Sequence, residues 1–450
     1  MTYSKFSTIQ STNHSALAKE QTATTSLLAA FLTIPFAVQA FPKIGWFFWL
    51  VLILVIVQAA WLRLKHSVSP SLFASPTGWT LTLVTATVAY GLFKTSGPAS
   101  LEVWKDMARG IAFLIALGLL SQLEAVHGKA AKPLVIEKFS NYLVAVAFVC
   151  GIAGYFKHIA LLAGYCTDLI APNCPQKYPW GTSLVGDYNF FALTLLFGAL
   201  ATLHKWANAE NFRHSLGWSA VLGVILFSGT HAGSRRFWII APIAIATGIA
   251  LIWLRHRQSV AFGRLFPRLV LGIACSWAIL QTGVWILTLP ETPSAGLMES
   301  RLHTLADRAE SFGLSARLER WRYAVSLIDL QTFFEGAGFS YRRAFGCHFI
   351  DCAVEDYPHL PVLSALLYGG IGAVLATLAC IAVASLKAWQ ALSQDSRPDL
   401  GISMIVCLIF ISVSGDTLLS APAFLAILLL LSFTSQTTRA TWPNADSRLR

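Results

Sequence analysis

The sequence reads as an all-α polytopic membrane protein of about twelve transmembrane helices, with both termini cytoplasmic and one large extracytoplasmic loop between helices 9 and 10. Three observations carry this reading. The chain of 450 residues is 55% hydrophobic and only 12% charged, where a soluble domain carries about 25% charged residues. Apolar runs long enough to cross a bilayer recur along the whole chain. Lysine and arginine gather in alternate loops between those runs.

The first 25 residues are polar, with Lys5, Lys19 and Glu20, and lack the short apolar core and small-residue cleavage site of a signal peptide. They are expected to form a retained cytoplasmic tail. Apolar runs follow near 22–42, 44–62, 77–93, 139–156, 188–203, 215–233, 237–254, 269–290, 360–386, 400–415 and 417–435, with a weaker one near 107–123. A span needs roughly 20 residues, and 17 suffice. The expected organisation is a tail over 1–25, helices 1–9 over 26–290, an outer loop over 291–359, helices 10–12 over 360–435, and a second tail over 436–450. Internal repeats and β-barrel alternation are absent from the pattern.

Orientation comes from the loops. Arg63 and Lys65, then Lys129, Lys132 and Lys138, then Lys205 and Arg213, then Arg255, Arg257, Arg264 and Arg268, then Lys387 and Arg397 occupy alternate connections. The positive-inside rule makes these cytoplasmic. The remaining connections, 157–187 and 291–359 among them, then lie outside. Much of the net charge of +11 is accounted for in this way. No basic stripe with interleaved aromatics is present, so no nucleic acid partner is expected. Metal-ligand spacings, a P-loop and a dinucleotide fingerprint are also absent, so neither metal nor cofactor is expected.

The cysteines divide by the same topology. Cys150, Cys275, Cys380 and Cys407 fall inside expected helices, as small apolar residues do. Cys166, Cys174, Cys347 and Cys352 fall in two outer loops, where disulfides persist. Four cysteines allow three pairings. Short spacing favours Cys166 with Cys174 and Cys347 with Cys352.

Several polar residues stand out against the apolar background. Ser234-Arg235-Arg236 sits in a short outer connection, against the positive-inside bias. Arg236 can snorkel to the interface, and either guanidinium can fork onto phosphate oxygens. Arg317, Arg320 and Arg322 recur at helical spacing with one acid, Glu319, between them. Arg317 and Arg320 share a face, while Arg322 points elsewhere. A charged loop helix is often just a solvated face, but the excess of arginine makes this one a candidate anion site. His359 follows Glu355-Asp356-Tyr357-Pro358 and precedes an apolar run containing Gly369-Gly370-Ile371-Gly372. Its imidazole can accept a proton near neutral pH, and an adjacent acid could orient the ring. A cap or interfacial ring is the plainer role. Asp187 and Asn189 begin a helix, as N-cap residues do, and could also bond a substrate at the rim. Asp416 lies between two spans and could serve substrate or pair with an arginine. Trp180, Trp285, Trp321 and Tyr341 suit sugar stacking or, more plainly, an interfacial belt.

Four blocks in this order resemble the O-antigen ligase and polymerase superfamily of bacterial membrane proteins. They are Asp187-Tyr188-Asn189 before Phe190-Phe191-Ala192; Gly233-Ser234-Arg235; Arg317 to Trp321 with Gly336-Ala337-Gly338; and His359 with Leu363 and Gly369-Gly370-Ile371-Gly372. The resemblance covers roughly residues 185 to 430, and earlier residues match only as hydrophobic spans. Leu360 stands where the family often has asparagine. The resemblance implies a glycosyltransferase of the bacterial inner membrane with its site on the periplasmic face. The implied donor is a glycan on undecaprenyl diphosphate, and the acceptor is lipid A-core or another glycan. The late outer loop looks more like the ligase branch. Arg235 and Arg317 would hold the diphosphate leaving group, and His359 would take the proton of the acceptor hydroxyl in one inverting displacement. Arg236, Arg320, Arg322, Asp187, Asn189 and Asp416 would line the substrate. Alternatives are a polymerase, a protein O-oligosaccharyltransferase or, from another class, a twelve-helix transporter or flippase.

Overall fold

The computed structural model describes residues 3–40, 45–96, 101–128, 130–162, 181–185, 188–209, 211–256, 261–287, 314–393, 397–412 and 414–434. Among the described residues all regular structure is helical. The helices are α1 (Tyr3–Ala40), α2 (Gly45–His66), α3 (Pro76–Lys94), α4 (Leu101–His127), α5 (Ala131–Leu162), α6 (Tyr188–Ala207), α7 (Phe212–Thr230), α8 (Arg235–His256) and α9 (Ala261–Leu287). They continue with α10 (Leu314–Ser326), α11 (Leu330–Glu335), α12 (Tyr341–Phe349), α13 (Pro361–Ser393), α14 (Pro398–Ser412) and α15 (Pro422–Thr434).

Each of the twelve apolar runs falls on a helix, and eight of these helices are long and apolar enough to cross a membrane: α1, α2, α4, α5, α6, α8, α9 and α13. The other four differ for physical reasons. α3 and α7 have 19 residues each, but threonine, serine and glycine dilute their hydropathy. Their hydroxyls bond back to their own helices, as Thr82 does to Gly78 O and Ser219 to Ser215 O, both at 2.8 Å. α14 and α15 are shorter, at 15 and 13 residues. The run expected at 417–435 starts late because residues 416–420 turn into a polar network and a 3₁₀ turn before α15 begins at Pro422. α1 is continuous from Tyr3, so the expected tail over 1–25 and the first apolar run share one helix.

α15 is apolar on every side and buried from Ala423 to Leu431, as a helix surrounded by other helices must be. It packs against α1, α4, α13 and α14. Phe31, Phe36, Phe113, Phe139 and Phe197 fill the neighbouring core with edge and tilted ring contacts.

Polar contacts join the helix ends in two sets. At one end Glu20 meets Lys65 and, at 2.8 Å, His66; Lys132 meets Glu124 at 2.8 Å; and Arg397 meets Asp399 at 2.8 Å. These are the connections rich in basic residues. The other end joins the starts of α6 and α8, the end of α3, the segment 330–361 and the turn 414–417.

α13 is interrupted at Gly370, whose φ of 64° and ψ of −162° are not helical. The break is tied to the loop. Ala337 N donates to Leu367 O at 2.7 Å. A Cβ on Gly370 would lie 2.4 Å from Phe334 O, and one on Gly336 would lie 2.5 Å from Gly369 N. Only glycine takes that backbone without strain. Gly370→Ala should therefore destabilise the protein by about 1–3 kcal/mol or more. Gly372→Ala, two residues on and with open space around its Cβ position, should be neutral or slightly stabilising. Equal unfolding midpoints for the two variants would contradict the strained junction.

Candidate functional site

The arginine-tryptophan block and the histidine block lie far apart in sequence and meet in the fold. On α10, Arg320 donates from Nε at 3.0 Å and Nη2 at 2.8 Å to Asp356 Oδ2. Its guanidinium also stacks on Phe349, 4.8 Å from the ring centre. Trp321 Nε1 donates to Pro358 O at 3.1 Å. Both side chains thus grip the turn that delivers His359. Arg317 lies one turn earlier on the same side of α10, at i−3 and i−4 from these residues. It is half-buried and makes no ion pair among the described residues. Arg322 is exposed, as its place on the other face requires.

His359 is held in the left-handed region at φ 59°, which costs about 1 kcal/mol or more for a residue with a Cβ. Pro358 precedes it and α13 begins two residues later, so the strain is imposed by its surroundings. Its Nε2 lies 3.5 Å from Asp356 Oδ1, and Tyr357 lies against the ring at 4.4 Å. The imidazole is 30% exposed while Asp356 is buried. Burial pushes the Asp356 carboxyl up, but hydrogen bonds from His359 and Arg320 outweigh it and hold the group below the ordinary aspartate value. Asp356 is therefore a carboxylate that orients an imidazole. Cys347 and Cys352 form the expected disulfide just upstream, tying the end of α12 to the turn that leads to Asp356.

Asp416 pairs with an arginine, one of the two roles expected of it, and is part of the framework around the site. It is 2% exposed. Its Oδ1 accepts from Tyr341 OH at 2.7 Å, and its Oδ2 accepts from Arg342 Nε at 2.8 Å and from Arg342 Nη2. Asp106 sits beside this pair, bonded to Arg109 at 2.7 Å and to Thr417 Oγ1 at 2.9 Å, with Arg342 at 3.9 Å. Burial works against the Arg342 charge, but Asp416, Tyr341 and Asp106 more than restore it, leaving its pKa raised. Burial, and then the neighbouring Asp416, raises Tyr341 so that it stays a neutral donor. Arg320, expected as a substrate residue, is likewise bonded to an internal carboxylate, that of Asp356.

The first two motif blocks also meet. Ser234 Oγ donates to Asn189 Oδ1 at 2.9 Å and caps α8 through Phe237 N at 3.3 Å. Asn189 thus binds Ser234, an internal role beside the one expected of it. Arg236 Nη1 donates to Ser414 Oγ at 3.0 Å, and the guanidinium lies 4.8 Å from the Phe410 ring centre. Asn189, Ser234, Arg236 and Phe410 line a narrow crevice at the starts of α6 and α8. The Arg235 side chain, Asp187, Cys166 and Cys174 lie outside the described residues.

One turn connects the two halves. Ser414 holds Arg236, Gly415 packs against Pro361, Asp416 holds Tyr341 and Arg342, and Thr417 holds Asp106. Sequence reading missed Arg342, Asp106 and Arg109. The available signal was Asp106 and Arg109 at i, i+3, a pair of opposite charges opening the weakest apolar run. No protein-family model matches the chain, and no curated protein matches it.

A group with a depressed folded pKa adds stability above its unfolded pKa and loses it as pH falls through the folded one. Asp356→Asn should destabilise the protein at pH 7 by about 1–3 kcal/mol, by weakening the bonds to Arg320 and His359. The gap from the parent protein should shrink as pH falls below about 4. Unfolding midpoints measured across pH check this, and a gap independent of pH would contradict it.

Proposed function

We propose that the protein is an O-antigen ligase-like membrane glycosyltransferase. It moves a glycan from undecaprenyl diphosphate to a hydroxyl of lipid A-core on the periplasmic face of the inner membrane. The observation that carries this reading is the meeting of motif blocks in pairs: Arg320 and Trp321 on the Asp356–His359 turn, and Ser234 on Asn189. Chance similarity of short motifs gives no reason for such pairing. The proposed topology has about twelve crossings, counting α3, α7, α14 and α15 with the eight longer helices.

The chemistry is a single displacement at the sugar's anomeric carbon. The bond from that carbon to the diphosphate oxygen breaks as the bond to the acceptor oxygen forms, inverting the centre. The leaving diphosphate is a stable anion near neutral pH, so it requires positive charge more than a proton. Arg317, half-buried and without an ion pair among the described residues, supplies charge from the loop, and Arg235 supplies it from the start of α8. His359 takes the acceptor proton. Its Nε2 faces Asp356 at 3.5 Å, so Nδ1 is the nitrogen left for the hydroxyl. Asp356 then stabilises the imidazolium. Arg320, Arg342 and Asp416 position these groups.

A polymerase or a protein O-oligosaccharyltransferase would use the same chemistry on another acceptor. A transporter fits less well, because the ion pairs described gather at the two ends of the bundle instead of at its midplane.

His359→Ala should lower turnover about 100-fold to 10,000-fold while donor binding is retained. Arg317→Lys keeps the charge but loses the fork, and should cost about 3 kcal/mol, or 100-fold or more. In cells, His359→Ala should leave lipid A-core bare while long lipid-linked glycan accumulates. Core bearing one repeat unit would replace the ligase reading with a polymerase. Unchanged glycans with protein at normal level would contradict the transferase reading altogether.

A further inference from the structure

α11 is a six-residue helix that buries little of itself. Of its side chains only Thr332 is buried, while Leu330, Phe333 and Phe334 are 77%, 39% and 60% exposed. Three large apolar groups on one turn and a half of helix, facing outward, are unfavourable in water. Their depth in the fold accounts for them. Phe334 O touches the break at Gly370, and Gly336 packs on Gly369. At 1.5 Å per residue, Gly370 lies about 14 Å along α13 from Pro361. α13 has 33 residues, a length of about 50 Å against a hydrocarbon core of about 30 Å. Its first nine residues can therefore stand above the bilayer, which puts α11 near the boundary.

α3, one of the proposed crossings, gives a second measure of the same level. Its 19 residues measure about 28 Å, close to the hydrocarbon thickness. Its last turn meets the α11 region directly. Lys94 Nζ donates to Glu335 Oε2 at 2.6 Å, Phe339 N donates to Thr95 Oγ1 at 2.9 Å, and a Cβ on Gly91 would meet Tyr368 at 2.9 Å and Phe339 at 3.0 Å. On α3, Phe93 is 90% exposed and Tyr90 is 42% exposed, with Lys94 over the Tyr90 ring at 5.5 Å. A lysine stem over an aromatic ring at the end of a span is the usual arrangement at a membrane interface.

We propose that α11 is a membrane-embedded foot of the outer loop, with Leu330, Phe333 and Phe334 inserted at the headgroup–acyl boundary level with the end of α3. The partner is the bilayer itself. Lys94 at the end of α3 pairs with Glu335 at the end of α11, both helices carry exposed apolar side chains beside that pair, and the pair would lie where headgroups and water meet. The loop would then be held at its base by lipid as well as by Gly370. This inference rests on the reading of the chain as a membrane protein and is independent of the transferase chemistry.

The test uses the wild-type chain in nanodiscs containing a phospholipid with a diazirine in its acyl chain. After illumination, adducts are mapped by peptide mass spectrometry. Adducts are expected within Leu330–Glu335 at a yield within about threefold of that at Phe93, normalised to exposed area. The solvated stretch Arg317–Arg322 should remain unlabelled. The double variant Leu330→Ser, Phe334→Ser removes exposed groups without emptying the core, so it should fold normally and lose most of the α11 adducts. Labelling of α3 and α9 without labelling of α11 would overturn the proposal, whether water or a second copy of the chain covers that face. Undiminished α11 labelling in the double variant would also overturn it, because the apolar side chains would then not set the depth.

Discussion

The buried contact between Arg342 and Asp416 holds together the end of the molecule that carries the candidate site. A guanidinium and a carboxylate taken out of water cost several kcal/mol each unless geometry and further bonds compensate. Here they are compensated, with Tyr341 on the other carboxylate oxygen and Asp106, Arg109 and Thr417 alongside. A core of apolar residues could be as stable. What the charged pair adds is direction, since a forked donor meets a carboxylate in few orientations.

That direction is passed on through the backbone. Arg342 O accepts from Asp356 N at 3.1 Å. The residue whose side chain fixes Asp416 therefore also fixes the carboxylate that orients His359. Asp416 lies in the turn that reaches Arg236 through Ser414 and Pro361 through Gly415. The diphosphate end of the proposed site and its base end are thus referred to one buried pair. The Gly370 break sets the same loop from below. α10 then closes over the His359 turn with Arg320 and Trp321, and Arg317 lies one turn earlier on the same side.

Hydropathy made the helices legible, because an apolar run of spanning length has few other uses. The local disulfide was legible too, since Cys347 and Cys352 are separated by only five positions. Span lengths near the end of the chain were not. The polar turn at 414–420 shortens α15, and nothing in its apolar composition distinguishes a helix surrounded by protein from one in lipid. The candidate residues on α10 and at His359 were legible as motif blocks, but their partners were not. Asp356 looked like one of two acids beside a histidine, and only the fold selects it over Glu355, which is exposed. Asp416 was legible as an ionisable residue in need of a partner. That partner is 74 positions away, in an Arg342-Arg343 pair that resembles any basic loop. Pairings at that distance depend on packing, and no periodicity encodes them.

The most direct test is a double-mutant cycle on the buried pair, read as denaturant unfolding in mixed micelles. Asp416→Asn and Arg342→Met should each cost about 3–5 kcal/mol, because each leaves a charged partner buried and poorly compensated. The double variant should recover more than about 1 kcal/mol relative to their sum. Strictly additive losses would mean that the two residues act separately, and the account of a single buried pair organising the site would then be wrong.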